Sequence, residues 1–381
     1  MDFELSDEHR RLQESAVLFA RSLDQSDMRE RDHEGRFSRD MWKRLAEFGV
    51  LAMPIPEEHG GLGLGLTALI AVMEGLGYGV EDHGLLFSMN AHLWTASIPI
   101  LLYGTDEQRR KYLPGLCSGE LIAANAATEP EAGSDVFSLR TVANRQGEHY
   151  VLNGAKTFVT NLPIADLIVA YATIDRNLGA MGVTAFIVDR DRAGLSLGNP
   201  LEKMGLRTSP MAELWFEDCQ VPVTSRLGRE GRGAEVFECS MTWERGCILA
   251  CYLGLMRRRL ERCLEHVRAR KQFGQPIGKF QSVANRIVDM KVRLETCRPL
   301  VYRVGWLLDR GQPAVLEAAI AKLHVSECLV QSSLDALQIF GGYGYMTEYQ
   351  IERELRDAIG SRIYSGTSEI QRNIIARQLG I

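Results

Sequence analysis

Glu244 lies in Thr242-Trp243-Glu244-Arg245-Gly246-Cys247 and is followed by Ile248, Cys251 and Leu255 at i+4, i+7 and i+11. A carboxylate on such an apolar stripe points toward a buried groove. Loss of water there favours the neutral acid and lifts its pKa toward the range of a working general base. A plainer reading also fits. The stretch opens the first long helix of the C-terminal part, and a glutamate near a helix start can stay in water, favoured by the dipole. Further along, Arg270-Lys271-Gln272-Phe273-Gly274-Gln275-Pro276-Ile277 with Gln281 offers a planar guanidinium, always charged and suited to phosphate oxygens. Gln338-Ile339-Phe340-Gly341-Gly342-Tyr343-Gly344 lets backbone approach a ligand closely. Thr128-Glu129-Pro130-Glu131-Ala132-Gly133-Ser134-Asp135 is a polar turn. Taken singly, these are also a surface arginine, helix-ending glycines and an ordinary loop.

The elements that must position these residues change character twice. Residues 1–120 read as helices: Asp40–Gly49 is amphipathic and stops at a glycine, Leu66–Leu76 is apolar save for Glu74, and Thr105 begins a helix with a good N-cap pattern. Residues 121–232 read as a small antiparallel domain. Its strands are Leu167–Ile174, Val183–Val188 and Glu213–Phe216, and the Asn153-Gly154 pair predicts a type I′ hairpin. Residues 233–381 are helical again, with Pro313 at a helix start. Gly63-Leu64-Gly65-Leu66-Thr67-Ala68 fits G-x-G-x-x-A, but Pro54 and Pro56 spoil the strand that should precede it, so no nicotinamide-binding domain is expected.

Composition narrows the class. The chain has 381 residues, 45% hydrophobic and 24% charged, with a net charge of −5. That is an ordinary globular composition with no polyanion-binding excess, so no nucleic-acid partner is expected. The eight cysteines form no C-x-x-C and show no metal-ligand spacing with the eight histidines, which predicts reduced thiols, no metal and a cytoplasmic setting. The charged first fifteen residues hold no secretory segment, and no apolar run approaches the ~20 residues of a membrane span.

In their order along the chain, these segments resemble the acyl-CoA dehydrogenase family of flavoproteins. The resemblance implies an α+β, mostly helical fold: an N-terminal helical domain, a central antiparallel β-domain and a C-terminal four-helix-bundle-like domain. It also implies FAD. Thr128–Asp135 looks like T-E-P-x-A-G-S-D, which assigns Thr128 and Gly133 to the flavin ring and Ser134 to the pyrophosphate. Lys156-Thr157-Phe158-Val159-Thr160-Asn161 resembles the K-x-W-I-T-N strand along the isoalloxazine, with Phe158 replacing the tryptophan and losing its indole N–H. Arg270, Phe273 and Gln281 correspond to residues that hold the ADP part of FAD from the neighbouring subunit of a homotetramer. Gln338, Gly341, Gly342, Thr367 and Glu369 join the cofactor contacts by the same resemblance, and Arg245 and Tyr364 fall at the substrate.

Many family members place their proton-abstracting carboxylate just before Gly-Thr, where this chain has Ser365. An aliphatic alcohol cannot take an α-proton at neutral pH. A subset that includes the isovaleryl and long-chain enzymes carries the base at the Glu-Arg position matched by Glu244-Arg245. The exchange leaves Ser365 with a backbone N–H to polarise the thioester oxygen. Narrower stretches resemble the prolyl-carrier-protein dehydrogenases of pyrrole natural-product biosynthesis: Pro163–Asp166 leading to Ala170–Thr173, Leu206–Pro210, Met241–Arg245 and Ser365–Ser368. The implied substrate is an acyl thioester on phosphopantetheine, carried by a carrier protein or CoA. The implied electron acceptor is electron-transfer flavoprotein, dioxygen or another partner. A short- or branched-chain acyl-CoA dehydrogenase and a non-catalytic flavoprotein scaffold are the alternatives.

Overall fold

The computed structural model describes residues 4–381; Asp2, part of the charged N-terminal stretch, lies outside the described residues. Helices from Asp7–Ser22 to Asp106–Ser118 come first, then a sheet, then helices from Gly233–Cys247 to Ser368–Gln378. This is the mostly helical α+β architecture that the sequence implied.

The sheet runs in the order Leu195–Leu197, Met211–Pro222, His149–Thr160, Val142–Gln146, Leu167–Thr173, Val183–Asp189, Arg226–Leu227. Its pairings are antiparallel except those of Ala123–Ala126 and Val142 with the Leu167–Thr173 strand. Period-2 alternation lets one strand serve two cores. Ile168, Ala170 and Ala172 pack inside the sheet domain, while Leu167, Val169 and Tyr171 join the helical core. The sheet is thereby welded to the helices that flank it.

The expected Asn153-Gly154 hairpin is absent. His149–Thr160 is a single strand, and a register shift falls between Leu152 and Gly154. A side chain at Gly154 would strike Thr141, so the glycine serves a bulge and a close approach. The reversal comes earlier, at Gly147-Glu148 between paired Gln146 and His149.

Thr105 caps its helix with a reciprocal capping box through Gln108, as its pattern predicted. The proline expectation shifts slightly: the helix begins at Val315, so Pro313 precedes it. The glycine-rich Gly63–Leu66 segment caps a helix whose first amides are taken by an internal carboxylate. Leu66 and Thr67 donate N–H to Asp309 at 2.5 and 2.9 Å, which occupies the position a phosphate would need.

One membrane-length expectation is corrected. His83–Tyr103 is a continuous helix of 21 residues with a π turn at Leu93–Ser97, apolar enough to span a bilayer by composition. Its most apolar 18-residue window is 89% buried inside the protein, so it is the core helix of the N-terminal half.

Candidate functional site

Glu244 lies in the last turn of the Gly233–Cys247 helix, not at a helix start. The chain bends at Ile248-Leu249 and continues as Ala250–Ala269. At a C-terminal end the dipole opposes a carboxylate, so the solvated, dipole-favoured reading fails. The apolar stripe survives the bend, with Ile248, Cys251 and Leu255 all buried. Close helix packing fixes it: Gly77 and Gly254 let Leu66–Gly79 and Ala250–Ala269 touch backbone to backbone, where any Cβ would collide. Glu244 itself is only 6% exposed. Burial pushes its carboxyl up to about 7, against smaller opposing effects of the Ser365 hydroxyl and the Arg245 and Lys322 charges.

Opposite stands the turn Ser365-Gly366, with φ of 55° and 91°. Its carbonyls are tied down from three directions. The Ser365 carbonyl accepts from Arg245 Nε at 3.0 Å and Gln371 Nε2 at 3.1 Å. The Gly366 carbonyl accepts from Lys322 Nζ at 2.8 Å and Gln371 Nε2 at 2.9 Å. Among the described residues, neither the Ser365 nor the Gly366 N–H is spent on a protein acceptor. The result is a rigid turn with free donors, as an oxyanion site requires. The Ser365 hydroxyl is near enough to favour the Glu244 anion but does not reach hydrogen-bond geometry, and its Oγ is buried without a partner. Tyr364 packs against Phe87 with the rings tilted at 47° and their centroids 4.6 Å apart.

Lys322 and Gln371 were not singled out from the sequence. Lys322 is fully buried, and desolvation lowers its pKa to about 8. A lysine among Ala318, Ala319, Ala321 and Val325 on a buried helix face is the signal that could have found it.

On the sheet, Thr128 accepts the Thr157 N–H through its carbonyl at 2.9 Å. The turn after it is anchored by Glu129, whose carboxylate takes Arg140 N–H at 2.6 Å, Thr141 N–H at 3.1 Å and Lys156 Nζ at 2.7 Å. Gly133 and Ser134 are exposed beyond that anchor. Phe158 has φ of 55° at a second register shift and is 63% exposed. The bulge turns the ring outward, and left-handed backbone on an aromatic residue is strain of the kind found at ligand sites. Val159 points the other way, into the sheet core, so only its backbone can face a ligand; Thr160 is partly buried beside it. Thr367 caps the last helix through its hydroxyl, and Glu369 is exposed in that helix's first turn.

A second group forms around a two-strand hairpin, Lys271-Gln272 with Gln275-Pro276. Phe273 and Gly274 make its turn, and Phe273 is 93% exposed. Arg270 lies over the Tyr343 ring at 5.7 Å and, among the described residues, pairs with no carboxylate. Gln281 opens the Gln281–Leu308 helix, while Gln338, Gly341 and Gly342 mark the exposed end of Val315–Phe340. A Cβ at Gly133, Gly341 or Gly342 would meet nothing within 4 Å, so those backbones face open space.

The reading of the cysteines needs one correction. Cys297, His324 and Cys328 bring their ligand atoms within 4.8 Å of one another. His324 and Cys328 are one helical turn apart, and Cys297 joins them from the neighbouring helix. The His324/Cys328 pair at i, i+4 is thus a ligand spacing present in the sequence after all, and only Cys297 is brought in from another helix.

The sequence matches three family descriptions: "Acyl-CoA dehydrogenase, N-terminal domain" over residues 6–120, "middle domain" over 124–219 and "C-terminal domain" over 231–380. It is 47% identical over 349 residues to an L-prolyl-[peptidyl-carrier protein] dehydrogenase of Pseudomonas fluorescens, covering 91% of this chain and 92% of that one. Among solved structures it resembles the prolyl acyl carrier protein oxidase AnaB, with 48% identity, a TM-score of 0.97 and coverage of 99% of this chain and 100% of the other. It also resembles PigA solved with FAD and proline, at 44% identity and a TM-score of 0.97, covering 100% of this chain and 99% of that one.

Proposed function

Because the chain belongs to the acyl-CoA dehydrogenase family, we propose that it catalyses FAD-dependent α,β-dehydrogenation of an acyl thioester, with L-prolyl-S-[peptidyl-carrier protein] as substrate, oxidised toward the pyrrole-2-carbonyl thioester. The observation that carries this reading is the buried Glu244 carboxyl, raised to about 7, facing the Ser365 turn.

The residues present fit FAD. Phe158 is held outward on a strained bulge, Arg270 pairs with no carboxylate among the described residues, and Gly133, Gly341 and Gly342 border open space. Thr128, Gly133, Ser134, Phe158 and Thr160 with the Val159 backbone would hold the flavin side, joined by Thr367 and Glu369. Arg270, Phe273, Gln281, Gln338, Gly341 and Gly342 would reach a neighbouring subunit's ADP moiety in a homotetramer. When bound, FAD supplies the acceptor for the hydride that leaves Cβ.

Everything else falls to the protein. Glu244, poised near neutrality, removes the proton from Cα, which the thioester carbonyl acidifies. The Ser365 N–H donates to the thioester oxygen as negative charge gathers there, and Arg245, Lys322 and Gln371 hold that donor in place. Arg245 and Tyr364 border the substrate. The phosphopantetheine arm of a carrier protein delivers the thioester. Electrons pass on to an electron-transfer flavoprotein or dioxygen. Eight unpaired thiols suit the reducing cytoplasm.

Anaerobic loss of flavin absorbance, followed with prolyl-carrier protein and with a panel of acyl-CoAs, tests the proposal. Bleaching by the prolyl thioester supports it. Bleaching by acyl-CoAs alone replaces the substrate with a CoA ester, and bleaching by neither rejects dehydrogenation.

A further inference from the structure

The Ser365 side chain has no task in the chemistry above, which uses only its backbone. Position 365 has φ of 55°, a conformation that glycine adopts without strain and serine does not. The hydroxyl is buried, finds no hydrogen-bond partner among the described residues, and lies beside the Glu244 carboxyl. Its backbone is held in place, because the carbonyl of the same residue accepts from Arg245 at 3.0 Å and Gln371 at 3.1 Å. A hydroxyl carries one donor and two acceptor lone pairs. With its hydrogen turned toward the carboxylate, both lone pairs are still free to accept.

A prolyl thioester differs from a carbocyclic or branched acyl thioester in one respect there: the atom attached to Cα is a ring nitrogen bearing N–H. We propose that the Ser365 hydroxyl accepts a hydrogen bond from that ring N–H and thereby selects α-amino acyl thioesters over acyl chains of the same shape. The inference rests on the proposed function and deepens it. A fixed acceptor next to the base orients the ring so that its Cα–H faces Glu244. An all-carbon ring would leave the same acceptor unsatisfied, and unmet hydrogen-bonding groups in a closed site are what give such sites their selectivity.

The test compares prolyl-carrier protein with cyclopentanecarbonyl-carrier protein, whose ring matches in size and lacks the N–H. Single-turnover flavin reduction is measured for the FAD-loaded wild type, Ser365→Ala and Ser365→Gly. The glycine variant relieves the backbone strain and keeps the N–H donor, so it guards against a folding defect in the alanine variant. The readout is the ratio of the prolyl rate to the cyclopentanecarbonyl rate. Removing the hydroxyl should lower that ratio about tenfold or more in both variants. A ratio that stays at the wild-type value overturns the selectivity role, even if both rates fall together. A wild type reduced by acyl-CoAs and not by prolyl-carrier protein rejects the substrate reading itself, and the inference with it.

Discussion

Arg245 Nε donates to the Ser365 carbonyl at 3.0 Å, so the residue next to the base in sequence anchors the turn that faces the base in space. Glu244 and its opposing donor are thereby set by one short helical segment. Replacing Arg245 with lysine keeps the charge and loses the directed Nε bond. Arg245→Lys should lower the flavin-reduction rate roughly 10- to 100-fold through a mispositioned donor, with FAD content retained. Full activity in that variant would remove the anchoring role.

Glu244→Gln should keep FAD and lose turnover by about 10²- to 10⁴-fold. In the wild type, kcat/KM should rise with pH through about 7, because the carboxyl must lose its proton to act. Stability should move the opposite way. The folded-state pKa of about 7 exceeds the unconstrained value of 4.5, so the folded state binds more protons between those limits. The native state therefore weakens as pH climbs from 4.5 to 7 and levels off above. Glutamine does not titrate. The variant should match the wild type near pH 4.5 and exceed it above pH 7 by up to roughly 3 kcal/mol. Thermal melts across that range check the crossover.

Lys322 brings a buried cation to the Gly366 carbonyl, and its charge favours the Glu244 anion. Lys322→Met removes both the contact and the charge. The acid limb of the kcat/KM profile should then shift to higher pH, lowering the rate at pH 7 and restoring part of it near pH 8.5 (about 1.5 units above the wild-type limb). A uniform loss at every pH would mean that Lys322 only supports the turn.

The sequence could reveal Glu244 because its stripe of Ile248, Cys251 and Leu255 is a local pattern. It could not reveal which end of a helix holds the carboxylate. The boundary at Ile248-Leu249 carries no glycine or proline of its own, and the nearby Gly246 lies inside the first helix, where its lack of a side chain admits Val304. Asn153-Gly154 has turn chemistry, but pairing with Met211–Pro222 overrides it and leaves a bulge. Lys322 meets the Ser365-Gly366 turn only through tertiary packing, whereas Gln371 reaches back to it from the first turns of the helix that follows, and Cys297 joins His324 and Cys328 from a different helix. The segments at Thr128 and Arg270 stand out as candidates in the sequence because each motif lies in one continuous stretch.

Phe273 offers the test of assembly. It is 93% exposed, in left-handed backbone at the tip of a hairpin, with Phe280 as its ring neighbour at 5.9 Å. So exposed an apolar side chain adds little stability within its own subunit beyond that one ring contact, so its removal should change the FAD-free melting free energy by less than about 0.5 kcal/mol. If the hairpin instead reaches a neighbouring subunit's cofactor, Phe273→Ala should lower the FAD-to-protein ratio and shift the assembly toward smaller species. Light scattering of the FAD-loaded protein reads the mass, and flavin absorbance against protein content reads the ratio. Arg270→Ala should reduce FAD content as well, since its guanidinium lies beside that hairpin and, among the described residues, pairs with no carboxylate. A Phe273→Ala protein with full flavin content and unchanged mass would place the hairpin outside any subunit contact, and the cofactor would then have to be held by one chain alone.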